Sequence, residues 1–338
     1  MSDASGVDPR VRWLERLRGP GTPDAAGVAR DLAWLDASGR CLVTVDDPRY
    51  PAQLAAVPGM PPALFIEGNP DVLSRPQVAI VGSRRGTAAG REAAFDFAAR
   101  LAAQGFAITS GLATGIDAAA HRGALAAGGV TLAVCGTGLD RVYPPGHERL
   151  AAEIAASGAL VSEFPCGTPP VAHNFPRRNR LMSGLARGVL VVEAAARSGS
   201  LITARLAGEQ GREVMAVPGS IHNPLARGCH RLIKDGAALV EGLDDVLAAL
   251  GVSRLESAGK AAPGARDCAE IAQGALDSDA EMLLNALGFG PTDLDRLVER
   301  TGMPTRSVLS KLQLLELEGR VETLAGGRYS RTTARQAR

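Results

Sequence analysis

Between residues 75 and 250 the chain alternates short apolar runs with alanine-rich stretches. The runs are Gln77–Val81, Phe106–Thr109, Val130–Val134, Ala159–Ser162, Val189–Val192 and Val214–Val217. Each is four or five residues long, mostly apolar and often β-branched, the pattern of a strand buried on both faces. The intervening stretches 88–103, 116–127 and 201–210 have helical composition. Strands alternating with helices predict an α/β fold built on a doubly wound parallel sheet.

The flanks differ. In residues 1–45, Trp13, Leu14, Leu17, Leu32, Trp34 and Leu35 predict one or two short helices. Prolines 48, 51, 58, 61 and 62 then mark an extended lead-in to the sheet domain, placed at 46–250. Residues 251–277 carry Ser, Ala, Gly and one Pro and read as a linker. Helical periodicity returns at Asp279–Leu287. A second helix, N-capped by Thr292, runs to Thr301, and Pro304 opens a third that ends at Gly319. The segment 320–329 then turns on Gly326–Gly327 as a hairpin. Three short helices and a hairpin predict a winged-helix module at 278–331, with a basic tail at 332–338.

A length of 338 residues suits two or three domains. The net charge of +1 excludes holding nucleic acid by bulk charge, but averages over local patches. Aromatic residues make up 4% of the chain, too few for a surface built from many stacking rings. The N-terminus lacks an apolar signal region, and no uncharged apolar run approaches a membrane span. The five cysteines are scattered without a CxxC pair, as buried reduced thiols would be. A cytoplasmic protein without metal, cofactor or membrane partner is expected.

The chemistry concentrates where predicted strands end. The first run ends in Gly82-Ser83-Arg84-Arg85-Gly86 before a helix, where a doubly wound sheet binds phosphate. Neither GxGxxG nor a Walker A sequence is present, and paired arginines suit a phosphate bound and left intact. The second run leads into Ser110-Gly111, Gly115, Asp117 and His121; the glycines let backbone N–H groups face a ligand. Asp117 and His121 have a spacing compatible with acid–base work, but also with an ordinary helix contact. Residues 173–180 hold Phe175, Arg177, Arg178, Asn179 and Arg180 with no acid. Arginine forks fit phosphate and Phe175 offers a face to a base, in a loop that the prolines at 165, 169, 170 and 176 hold extended. Ser198 or Ser200 could cap a helix as a second anion site. No Gly-x-Ser-x-Gly elbow or paired carboxylates mark a hydrolase.

Taken in order, these stretches resemble the DNA-processing protein A (DprA/Smf) family. The resemblance runs through 46–51 (DDPRYP), 81–84 (VGSR), 110–117 (SGLATGID), 135–144 (CGTGLDRVYP), 175–180 (FPRRNR), 191–194 (VVEA), 198–200 (SGS) and 217–219 (VPG). It implies an extended Rossmann-like domain that binds single-stranded DNA, shields it during natural transformation and helps load a RecA-type recombinase. It also implies a homodimer and a C-terminal winged helix. The family's DNA pocket maps onto Gly82, Ser83, Arg84, Phe175, Arg177, Asn179 and Arg180, to which the residue-level reading adds Arg85, Ser110, Gly111, Arg178 and Ser200. The helical segment before the match is shorter than the resemblance implies, and Cys229-His230-Arg231 stands where family members carry an Asn.

Two rival readings have residues of their own. Glu193 at a strand end could be the base of an enzyme acting on a nucleotide or sugar phosphate; its bland alternative is an ion pair with Arg197. The winged helix offers Arg306, Ser307, Ser310 and Lys311 to a duplex groove, with Arg328 and Arg331 near the wing, but Glu316, Glu318 and Glu322 lie close by.

Overall fold

A computed structural model describes residues 8–19, 24–253, 278–287, 290–324 and 326–332. The expected linker beyond Ser253 and the basic tail beyond Thr332 lie outside these. The chain divides into two compact units, within 1–255 and 256–338.

The first unit opens with α1 (Pro9–Arg18), α2 (Ala25–Leu35), β1 (Arg40–Thr44), α3 (Ala52–Ala55) and β2 (Ala63–Gly68). Then βα alternation sets in: β3 (Gln77–Val81), α4 (Ala88–Ala103), β4 (Ala107–Ser110), α5 (Ile116–Ala126), β5 (Thr131–Val134), α6 (Glu148–Ser157), β6 (Ala159–Ser162) and α7 (Asn174–Leu185). It continues through β7 (Gly188–Val191), α8 (Ser200–Glu209), β8 (Glu213–Ala216), α9 (Arg227–Lys234), β9 (Ala238–Leu239) and α10 (Leu243–Ala249). The nine strands form one sheet in the order β1-β2-β6-β5-β4-β3-β7-β8-β9.

All six predicted strands are present within one residue. The sheet is not wholly parallel: β1 pairs antiparallel with β2, and β2 with β6. The proline-rich lead-in thus ends in a sheet strand, β2, and the edge strand β1 brings residues before 46 into the sheet.

Alternation along each central strand feeds two cores. In β3, Val78 and Ile80 pack with Phe97, Leu101 and Ala120 on the α4–α5 face, while Ala79 and Val81 pack with Leu181 and Leu185 under α7. Order runs outward from β3 through β4, β5 and β6, then returns to β7 on its other side. The switch point therefore lies at the C-terminal ends of β3 and β7, where open α/β sheets bind ligands. A third core holds α1, α2 and α6, with Leu14 and Trp34 against Phe65 and Leu150. Buried Asp31 ties this helical segment to the sheet domain, accepting from Arg18 and from the Cys166 N–H at 2.9 Å.

The second unit has α11 (Ser278–Leu287), β10 (Thr292–Asp293), α12 (Leu294–Thr301), α13 (Thr305–Leu317), β11 (Val321–Leu324) and β12 (Arg328–Arg331). Its three strands pair as β10-β12-β11, completing a winged-helix arrangement. The cap of α12 is Asp293, which accepts from the Arg296 N–H at 2.8 Å; Thr292 instead lies in β10. The outer face of α13 exposes Leu309, Leu314 and Leu317 beside Arg306 and Ser310. No helix among the described residues is long and apolar enough to cross a membrane.

Candidate nucleic-acid interface

Three loops meet at the switch point. The loop after β3 carries Ser83, Arg84 and Arg85, and its backbone is held from both neighbours. The Ser83 N–H donates to the Glu193 carbonyl at 2.7 Å, and the Ile116 N–H donates to the Ser83 carbonyl at 3.2 Å. The Thr114 hydroxyl donates to the Arg84 carbonyl at 3.1 Å. Gly115 is crossed by this loop so closely that a Cβ there would lie 2.3 Å from the Ser83 carbonyl oxygen, and its φ is +79°. Arg84 and Arg85 are exposed on a backbone positioned before any ligand arrives.

The helix N-terminus behind this loop is already occupied. The buried Glu193 carboxylate accepts from the Thr87 N–H at 2.8 Å, the Thr87 hydroxyl at 2.7 Å and Asn223 Nδ2 at 3.2 Å. An acid at the start of α4 is where the helix dipole favours one, and both its oxygens are engaged. The start of α4 thus meets a carboxylate of the chain itself, where the sequence suggests free helix N–H donors, and the exposed groups of this loop are the guanidinium groups of Arg84 and Arg85. Glu193 makes neither the expected ion pair with Arg197 nor an approach to open space.

The basic segment 173–180 is not an extended loop but the first turns of α7. Pro176 sits third in the helix, where its missing N–H would have no intrahelical partner. Coiling the segment sends its side chains in different directions. Arg177 is exposed and Arg180 half-buried, yet both reach Glu163 after β6, the first at 3.1 Å. Burial pushes the Glu163 carboxyl upward, and the two arginines act against that. The Arg177 guanidinium also lies 5.3 Å from the centroid of the Phe164 ring.

Arg178 turns inward. It is buried, donates to the Val134 carbonyl and lies against Gly111, with the buried Asp117 carboxylate as its nearby countercharge. Asn179 is buried with Nδ2 3.4 Å from the Gly199 carbonyl. Ser110 donates its hydroxyl to the Ile80 carbonyl at 2.6 Å, and the Gly111 N–H donates to Asp117 at 3.1 Å. Ser200 is buried with its hydroxyl 2.7 Å from that of Ser198, and the Ser198 hydroxyl also accepts from the Ser200 N–H at 3.3 Å, at the first residue of α8. Of the twelve candidates, Arg84, Arg85 and Arg177 present charge to solvent, while Ser110, Arg178 and Asn179 brace the loops from below.

Phe175 stands between the two basic groups. Arg84 lies over its ring at 5.5 Å and Tyr143 packs at 5.5 Å between centroids, tilted by 41°. Tyr143 and Glu163 are the site residues that the sequence reading missed. Tyr143 lies in a matched motif, and its exposure of 37% is the only further signal; Glu163 is isolated in sequence from the arginines it pairs.

Asp117 and His121 do not form an acid–base pair. The buried His121 Nδ1 lies 2.7 Å from the Thr131 hydroxyl, which itself donates to the Ile108 carbonyl; the ring is therefore the Nδ1–H tautomer. Burial lowers its pKa from 6.5 to about 3. Because the native state binds this proton less readily than the unfolded chain, stability is full above pH 6.5 and falls with acidification toward pH 3. By pH 5 the loss is about 2 kcal/mol. Buried Asp117, its carboxyl raised by desolvation, works in the opposite sense. Denaturant titrations of the parent and His121→Gln at about pH 7.5 and about pH 5, one above that window and one inside it, should show the variant losing less on acidification; equal losses would contradict the assignment.

A family model described as DNA recombination-mediator protein A matches residues 41–251, and one described as the DprA winged helix domain matches residues 269–327. Protein Smf of Escherichia coli K12 is 46% identical over 303 residues, 89% of this chain and 80% of that protein. DNA processing protein DprA of Streptococcus pneumoniae is 48% identical over 202 residues, 60% of this chain and 71% of its own length. The X-ray structure of DNA processing protein A from Streptococcus pneumoniae superposes with a TM-score of 0.62 at 44% identity, covering 67% of this chain and 77% of that one. A structure of DNA processing protein A from Helicobacter pylori, described as giving insight into that protein's single-stranded DNA binding mode, has a TM-score of 0.56 at 28% identity. It covers 62% of this chain and 95% of that one.

Proposed function

The chain belongs to the DNA recombination-mediator protein A (DprA/Smf) family, and on that premise we propose that it binds single-stranded DNA at the switch point as a non-catalytic mediator of DNA processing in transformation. The observation that carries this reading is the arrangement of charge: Arg84, Arg85 and Arg177 exposed at the strand ends, above the buried acids Asp117, Glu163 and Glu193. A strand running across this edge meets cations and an aromatic edge, and sequence is left unread. Arg178 contributes from beneath, holding the loop after β4 while adding positive potential.

The family premise supports the finer parts of the proposal. These are protection of incoming strands in the cytoplasm, assistance to a RecA-type recombinase, and action as a homodimer. An enzymatic role gains nothing from Glu193, whose carboxylate is committed to the loop after β3. The winged helix presents leucines on the face a groove would need, so duplex reading is not part of the proposal.

Arg84→Ala tests the site. Anisotropy titration of a labelled oligothymidine strand should show affinity about tenfold lower at low salt, the effect of removing one charge-assisted hydrogen bond to phosphate. The slope of log affinity against log salt should become shallower by about 0.7. Unchanged affinity and slope would remove Arg84 from the interface.

A further inference from the structure

Phe175 has little surface left for a ligand. Arg84 covers it at 5.5 Å and Tyr143 packs on it at 5.5 Å. Its edge rests on Gly136, where a Cβ would come within 2.9 Å of Cδ1. The ring is half-buried and already carries both a cation and an aromatic partner.

Tyr143 is differently placed. At 37% it is the most exposed Phe, Tyr or Trp side chain among the described residues. It packs against the ring that Arg84 also contacts, so a cation and an exposed aromatic ring are both anchored on Phe175. The neighbouring Arg141 is also exposed, 3.5 Å from the Asp140 carboxylate. A cation and a ring held close together are what a single strand requires, since its phosphates and bases must both be met within one nucleotide step.

We propose that Tyr143 is the base-stacking platform of the site, and that Phe175 is the buttress that holds Tyr143 and Arg84 in place. The inference rests on the single-strand reading above. Stacking on a tyrosine is indifferent to base identity but requires that a base be present, whereas phosphate capture by Arg84 does not.

That difference supplies the test. The full chain and its Tyr143→Leu, Tyr143→Trp and Arg84→Ala variants are titrated against labelled oligothymidine and against a strand of equal length made of abasic residues. Leucine preserves an apolar contact with Phe175 while removing the π-face. Tyr143→Leu should weaken oligothymidine binding about tenfold and change abasic-strand binding by less than about twofold. Tyr143→Trp should bind oligothymidine at least as tightly as the parent. Arg84→Ala should weaken both strands alike. Equal loss on the two strands in Tyr143→Leu would make the tyrosine a packing residue and overturn the proposal, as would no loss on either. If Arg84→Ala behaves as expected while Tyr143→Leu does not, the stacking proposal fails and the single-strand reading stands; if the parent binds neither strand, both fail.

Discussion

Glu163→Ala should lower the unfolding free energy by about 3–5 kcal/mol, the cost of removing one partner from a buried ion pair. The carboxylate is almost fully buried and is the acidic partner of both Arg177 and Arg180. Without it, Arg177 remains in solvent, but the half-buried Arg180 guanidinium is stranded with Nη1 already lacking a hydrogen-bond partner. Most of the loss therefore comes from an unpaired cation and not from a missing attraction. Denaturant unfolding of Glu163→Ala beside the double variant Glu163→Ala/Arg180→Met separates the two. The double variant should recover a large part of the stability; an equal or deeper loss would place the stabilisation in the attraction itself.

The second large effect is expected at Gly115. Its φ of +79° is strained for any residue with a Cβ, and such an atom would meet the Ser83 and Arg84 carbonyl groups at 2.3 and 2.7 Å. Both obstacles are backbone, so neither can rotate away. Gly115→Ala should cost about 3 kcal/mol, combining conformational strain with overpacking. Because the displaced backbone is that of Arg84, single-strand affinity should fall as well. Gly128, at φ +65° but with nothing within 4 Å, is the control: alanine there should cost about 1 kcal/mol and leave DNA binding unchanged. Thermal or chemical denaturation with parallel anisotropy titrations checks both, and equal costs at the two glycines would contradict the proposed loop crossing.

Much of this architecture is legible from the residues because the central strands are buried on both faces. Runs such as Val189–Val192 admit few other readings. The edge pair β1–β2 escapes the same test. β1 is only half-buried along most of its length, and prolines 48 to 62 between the two strands look like the end of regular structure when they are only the connection. The start of α7 is hidden for a related reason. Its buried side carries Asn174, Arg178 and Asn179 in place of apolar residues, so no helical stripe appears before Leu181. Placed on a helix, the arginine cluster divides into solvent-facing and buried groups, a distinction spacing along the chain cannot make.

The candidate site shows the same limit. The arginines of the GSRR and FPRRNR segments identify themselves by composition. Their partners do not: Glu163 reaches Arg180 across a strand end, and Glu193 reaches Thr87 from 106 residues away. Tyr143 stands on the loop before α6 and Phe175 on α7, and only the fold brings the rings together. Acidic residues near a basic site read from sequence as neutralising it. Burying them turns the same residues into supports and leaves the exposed rim positive.

A positive rim at the strand ends should prefer a flexible strand to a stiff duplex. The most direct measurement is an anisotropy titration of the full chain with labelled oligothymidine and with a duplex of equal length, repeated across a salt series. Such a rim predicts tighter binding of the single strand at every salt concentration, with affinity falling linearly on logarithmic axes. Equal or duplex-preferring binding, or a single-strand affinity indifferent to salt, would contradict it.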